Sequence, residues 1–197
     1  MRFDGWILGT GTTSGTRVVL GHWPRSPLGP FSDVMVQRPD GHRVLLAPTP
    51  QVAEFVGSTY SFDEVRLVDV EVARPDPATW SLRAGPLRLA ATVGRRPVLG
   101  LLLRAVPAPL ARRPAWTGLV DIPARLLTGL RTKGSAGGGR TEWYGVQDLH
   151  GLSAVTASWD GEPLGAVAPV RPPVTFGFGS VPPRPSVVRV TTTVQVP

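Results

Sequence analysis

A mainly β domain, with a curled antiparallel or barrel-like sheet and two or three short helices, is the fold class that this chain of 197 residues predicts. Three observations lead there. Roughly eight segments read as strands, turn residues punctuate most of the gaps between them, and proline breaks up the longest stretch in which a helix could otherwise form. The regular strand–helix alternation of a doubly wound α/β fold is missing.

Residues 6–8 and 16–20 read as two strands joined by the glycine-containing segment 9–15. Gly9, Gly11 and Gly15 lack the Gly-Lys-Ser/Thr ending of a phosphate loop and lead into a β segment, so a hairpin connection is the better reading. Residues 31–37 and 42–47 flank Pro39, Asp40 and Gly41, where a fixed φ followed by a residue tolerant of positive φ predicts a β hairpin. A short amphipathic helix is expected over residues 49–56. Thr49 can cap it, Pro50 suits its first turn, Val52, Phe55 and Val56 share a face, and Gly57 can end it.

Residues 64–72 alternate strictly until Leu67 and Val68, where two adjacent apolar residues change the parity. That predicts a β-bulge, or a strand covered on both faces. Residues 80–84 and 87–93 are two further strands turning around Gly85 and Pro86. The apolar run from Val98 to Leu103 stops at Arg104, far short of the roughly 20 residues that span a bilayer, and reads as a buried strand or the approach to a helix. Pro107, Pro109, Pro114 and Pro123 fragment the following region, leaving 121–127 as its best helical piece. Strands are expected at 141–147 and 152–159, with a turn at Asp160 and Gly161 and a short return over 164–170. Residues 175–180 read as extended, and the β-branched stretch 187–196 as a final strand. One domain over residues 1–197 is expected, with 105–140 the place for an insertion or subdomain junction.

Composition narrows the chemistry. The absence of cysteine excludes disulfides, thiolate nucleophiles and finger-type zinc sites. The first residues lack the pattern of a secretory signal, so a cytoplasmic protein without membrane association is expected. The net charge of +7 favours anionic partners, but the arginines are dispersed and form no recognition pattern, which disfavours nucleic acid. Lys133 is the single lysine and the one candidate for a Schiff base, which needs burial or neighbouring cations such as Arg131 and Arg140 to yield a neutral amine. Its glycine-rich neighbourhood instead predicts an exposed loop lysine. His22, His42 and His150 lack compact metal-ligand spacing, and His22 lies beside a turn where a pocket can form. Asp69 and Glu71 are expected to face solvent while Val68, Val70 and Val72 face the core. No Gly-x-Ser-x-Gly turn points to hydrolysis.

The string from Ser26 to Val36, with Gly29, Pro30, Phe31 and Asp33, resembles the Gly-Pro-Tyr-x-Glu element that opens an early strand in the acetoacetate decarboxylase-like superfamily. The hairpin, the short helix and the strand from Glu64 follow in a similar order. The resemblance implies a curled antiparallel sheet around an enclosed cavity, and in the decarboxylases a Schiff-base lysine beside a second lysine. Here the matching region, residues 60–67, has no lysine. Glu64 resembles an acid of that site, and Arg66 falls near the missing amines, where a permanently protonated guanidinium cannot be the nucleophile. The expectation is therefore a pocket for a small carboxylate or carbonyl compound without Schiff-base decarboxylation, with Asp33, Glu64, Arg66 and His22 as binding candidates and no cofactor. Two alternatives remain: a non-enzymatic structural or protein-interaction domain anchored by Trp6, Trp23, Trp116, Trp143 and Trp159, and a lyase using Lys133. Homo-oligomerisation stays open.

Overall fold

The computed structural model describes residues 1–111, 133–135, 141–177 and 181–195. It is a mainly β, curled antiparallel half-barrel with a small number of short helices. In chain order the first strands are β1 (Arg2–Thr12), β2 (Arg17–Arg25), β3 (Phe31–Gln37) and β4 (Arg43–Ala47), each antiparallel to the one before. The segment 9–15 is not a long connection: β1 runs straight through Gly9 and Gly11, which pair with Val19 and Arg17. These glycines are places of close approach, since a Cβ on Gly9 would meet Val181 at 2.7 Å and one on Gly11 would collide with the Pro169 carbonyl. The β3–β4 hairpin turns at Gly41, with φ +93°.

Thr49 caps α1 (Pro50–Thr59), its hydroxyl accepting from the Val52 amide at 3.2 Å. The helix does not end at Gly57. It continues two residues further to Thr59, and the amide of the capping Tyr60 donates to the Val56 carbonyl, so packing of the apolar face outweighs the modest cost of one helical glycine.

The stretch 64–72 is neither a bulged strand nor a single strand. It divides into β5 (Glu64–Leu67) and β6 (Val70–Ala73), which lie at opposite edges of the sheet. β5 pairs in parallel with β4, and β6 pairs with β7 (Thr79–Ala84), which turns at Gly85 into β8 (Leu87–Val93). The parity change at Leu67 and Val68 therefore marks where the chain leaves one edge for the other. Val68, Val70 and Val72 do pack on the core, and Asp69 and Glu71 are exposed.

The apolar run from Val98 forms α2 (Val98–Ala105), followed by the short α3 (Ala108–Ala111). Gly100 is buried against the Leu149 carbonyl, while Val98, Leu101 and Leu102 are 72%, 55% and 62% exposed. Residues 112–132 and 136–140, including the helical piece expected at 121–127 and Trp116, lie outside the described residues. β9 (Lys133–Ser135) pairs with β10 (Thr141–Trp159). β10 is one strand where two were expected. It pairs with β13 (Ser186–Gln195) over residues 141–151 and with β8 over residues 152–159. Irregularities between Val146 and Asp148 and between Leu152 and Ala154 let this strand bend and bridge the two halves of the sheet. Two-residue strands β11 (Glu162–Pro163) and β12 (Val167–Ala168) attach to β10 and β1.

The resulting order is β5-β4-β3-β2-β1-β13-β10-β8-β7-β6. Curling brings β6 to β8 over one face of β1 to β4, so both faces of these central strands are covered. Leu8, Val18, Leu20, Val34, Val44 and Leu46 meet Trp80, Leu82, Leu87 and Leu89 on one side. On the other, Phe3, Ile7, Val19, Met35 and Leu45 meet Val52 and Val56 of α1. Among the described residues, no helix is long and apolar enough to cross a membrane.

Candidate functional site

The α1 side of the sheet holds a partly open cavity of about 50 Å³. Strand alternation places its wall: Phe3 and Ile7 from β1, Val19, Gly21 and Trp23 from β2, and Phe31, Asp33 and Met35 from β3 all point to this face. Glu142 and Tyr144 project from β10, and Thr192 and Val194 from β13. Phe55 and Val56 of α1, together with Tyr60 just beyond it, close the space. Phe31, Phe55 and Tyr60 are half-buried, and the rest of the wall is buried.

Three polar features stand in this largely apolar wall. Asp33 is 3% exposed and accepts a hydrogen bond from the Trp23 indole N–H at 3.2 Å. Burial pushes its carboxyl up to about 7, against the smaller opposing pull of the indole and of its own amide. Gly21 makes room for this pair, since a Cβ there would lie 2.6 Å from both Asp33 Oδ1 and Trp23 Nε1.

The second feature is Glu142, 2% exposed, whose Oε2 accepts from the Tyr60 hydroxyl at 2.9 Å and the Tyr144 hydroxyl at 3.2 Å. The two phenol oxygens are 2.8 Å apart. Burial, and then the neighbouring Tyr144 and Glu142, hold the Tyr60 phenol well above its ordinary range; burial followed by Glu142 does the same for Tyr144. Both phenols therefore remain protonated donors at neutral pH.

The third feature is Thr192. It is 4% exposed, and its Oγ1 has no hydrogen-bond partner among the described residues. A buried hydroxyl without a partner costs about 1–3 kcal/mol. Thr192→Val, which keeps the shape, is therefore expected to stabilise the ligand-free protein by about 1 kcal/mol in urea unfolding; a loss of stability would show that the hydroxyl is satisfied in solution.

Of the four binding candidates taken from sequence, Asp33, Glu64, Arg66 and His22, Asp33 alone lines the cavity. His22 lies on β2 at the opposite parity, bonded through Nδ1 to Ser32 Oγ at 2.8 Å and packed edge-on against Trp80. Burial, and then Arg74, lower its pKa. Glu64 and Arg66 pair in register with Val44 and Leu46, so they share that same far face at the sheet edge. Each is about one-third exposed, and they bond to each other at 2.6 Å. Glu64 also meets His42 Nε2 at 3.2 Å, while Arg66 lies 5.5 Å from the Trp159 ring centre. The arginine, then the histidine, lower the Glu64 pKa. Lys133 is in β9 with Trp143 as its register partner, so its backbone is in a strand where a loop was expected.

Glu142, Tyr60, Tyr144, Trp23 and Thr192 were missed as site residues. One signal for them was available: in the strand expected at 141–147, Glu142 and Tyr144 are two apart and must share a face. Among the described residues, no group of three or more histidines and acids is placed to hold a metal ion. No family model, curated protein or solved structure matches this chain.

Proposed function

We propose that this chain is a non-enzymatic binding domain whose cavity holds a small polar molecule. The observation that carries the reading is the buried Thr192 hydroxyl, without a partner among the described residues, on the same wall as the buried Asp33 carboxyl. Such groups are costly to enclose unless something satisfies them. At about 10–15 Å³ per water-sized position, the cavity suits a molecule of roughly three to five non-hydrogen atoms. A pocket on a curled sheet, without Schiff-base chemistry, is also what the resemblance to acetoacetate decarboxylase-like proteins led us to expect. The described wall offers carboxyls, phenols, an indole and a hydroxyl, with both phenols held protonated; Asp33 is hydrogen-bonded to an indole rather than to a nucleophile it could activate. Of the two ligand classes expected, a carbonyl compound can accept from Thr192 or from protonated Asp33, whereas a carboxylate meets like charge wherever Asp33 is ionised.

The chain's two methionines provide the test, because Met35 lines the cavity and Met1 is exposed. Titrating methyl-labelled protein with 1-propanol, acetone and propylamine is expected to shift the Met35 methyl resonance saturably and leave Met1 in place. If no compound moves Met35, the cavity is not a binding site.

A second, interaction-domain reading is favoured by one observation, the apolar face of α2 formed by Val98, Leu101 and Leu102.

A further inference from the structure

The wall of the cavity has features that discriminate among small molecules. Asp33 offers a carboxyl that accepts from the Trp23 indole N–H and from its own backbone amide. Thr192 Oγ1 supplies a buried acceptor with no partner among the described residues, and Glu142 adds a second carboxyl already receiving two phenol hydrogen bonds. Around them stand the rings of Phe3, Trp23, Phe31 and Phe55. These rings contact one another: Phe3 meets Trp23 edge-on at 5.9 Å and Phe31 edge-on at 6.3 Å, and stacks on Phe55 at 5.1 Å.

Aromatic faces attract cations through their quadrupole, most strongly where water is excluded, and carboxyls and a hydroxyl oxygen accept N–H donors. A carboxylate ligand would meet like charge once Asp33 is ionised, and a neutral ketone, although it can accept from the Thr192 hydroxyl, brings no positive charge to pair with that carboxylate. Resting on the binding reading above, we propose that the cavity selects a small alkylammonium compound bearing at least one N–H, with its charged nitrogen toward Asp33 and Thr192 and its alkyl part among the aromatic rings. The expected size, roughly three to five non-hydrogen atoms, follows from the cavity volume.

The decisive comparison uses four probes of similar size: propylammonium, 1-propanol, acetone and propionate, each titrated at pH 8 against the intact protein while the Met35 methyl and the Trp23 indole N–H resonances are followed. Propylammonium is expected to bind more than tenfold tighter than the alcohol or the ketone, with propionate weakest. Asp33→Asn keeps the acceptor for the indole but removes the charge, and is expected to reduce the preference for propylammonium over propanol at least tenfold without abolishing propanol binding. Equal or tighter binding of propanol, acetone or propionate overturns the ammonium assignment while leaving the binding reading intact. An unchanged preference in Asp33→Asn likewise overturns it, because the selectivity would then arise elsewhere. If none of the four probes binds, the binding reading fails, and this inference with it.

Discussion

Asp33→Asn is expected to stabilise the protein at alkaline pH and to remove a pH dependence that the wild type carries. The Asp33 carboxyl stands at about 7 in the folded protein against an ordinary value of 3.8. Between those values the folded state binds a proton that the unfolded state has released, so stability falls as pH rises from about 4 through about 7 and stays low above it. A difference of this size corresponds to roughly 4 kcal/mol. Asparagine carries no charge to desolvate and keeps an oxygen for the Trp23 indole; its amide N–H₂ needs an acceptor, which subtracts about 1–3 kcal/mol if none is found. Relative to wild type, the variant should therefore gain up to about 4 kcal/mol between pH 4 and pH 8, and be equal or less stable at the acid end. Urea unfolding of both proteins at each pH measures the difference directly. Parallel stability curves would mean that Asp33 titrates as an ordinary exposed acid and is not buried in solution. A natural sequence that keeps a destabilising acid on a cavity wall, where asparagine or leucine could stand, is the pattern expected when function opposes stability.

Local features were legible in the sequence, and relations between distant segments were not. Pro39, Asp40 and Gly41 announced their hairpin, and Thr49 and Pro50 the start of α1, because caps and turns depend on residues within a few positions of one another. The parity break at Leu67 and Val68 was visible, but alternation says which face a residue takes and nothing about which strand lies beside it. A bulge and a passage from one sheet edge to the other leave the same trace. Asp33 was reached through a short motif. Its companions were not, because Tyr60 and Glu142 are 82 residues apart and meet only after the sheet has curled. Glu64, Arg66 and His22 were grouped with Asp33 by their nearness along the chain and by the resemblance, yet strand register sends all three to the opposite face. The α2 segment shows a further limit: its apolar composition implied burial, and only Gly100 packs closely enough to be buried in the structure.

The face to which His22 belongs supports the other large prediction. Trp80 is 1% exposed at the centre of the core formed when β6 to β8 close over β1 to β4. Its ring meets Trp6 at 6.1 Å and His22 at 5.7 Å, and the Arg74 guanidinium lies 4.6 Å from its centre. Trp80→Ala is expected to cost about 3–5 kcal/mol, the range for emptying a buried aromatic site, because the curled half of the sheet loses its largest packing element. Trp159, half-buried beneath Arg38 and Arg66, should cost distinctly less when truncated, since water already reaches part of its surface. A local readout separates this from general loosening. Burial is the main reason that His22 titrates below its ordinary range, with Arg74 second, so opening the Trp80 site to water should raise the His22 pKa toward about 6.5, followed by its imidazole proton resonances. Asp33 and the cavity, on the other face of the same strands, should keep their titration and probe response under conditions where the variant remains folded. A stability loss below about 1 kcal/mol, against the 3–5 expected, together with an unmoved His22, would mean that β6 to β8 do not hold the sheet closed and that the curl is maintained by β10 and β13 instead.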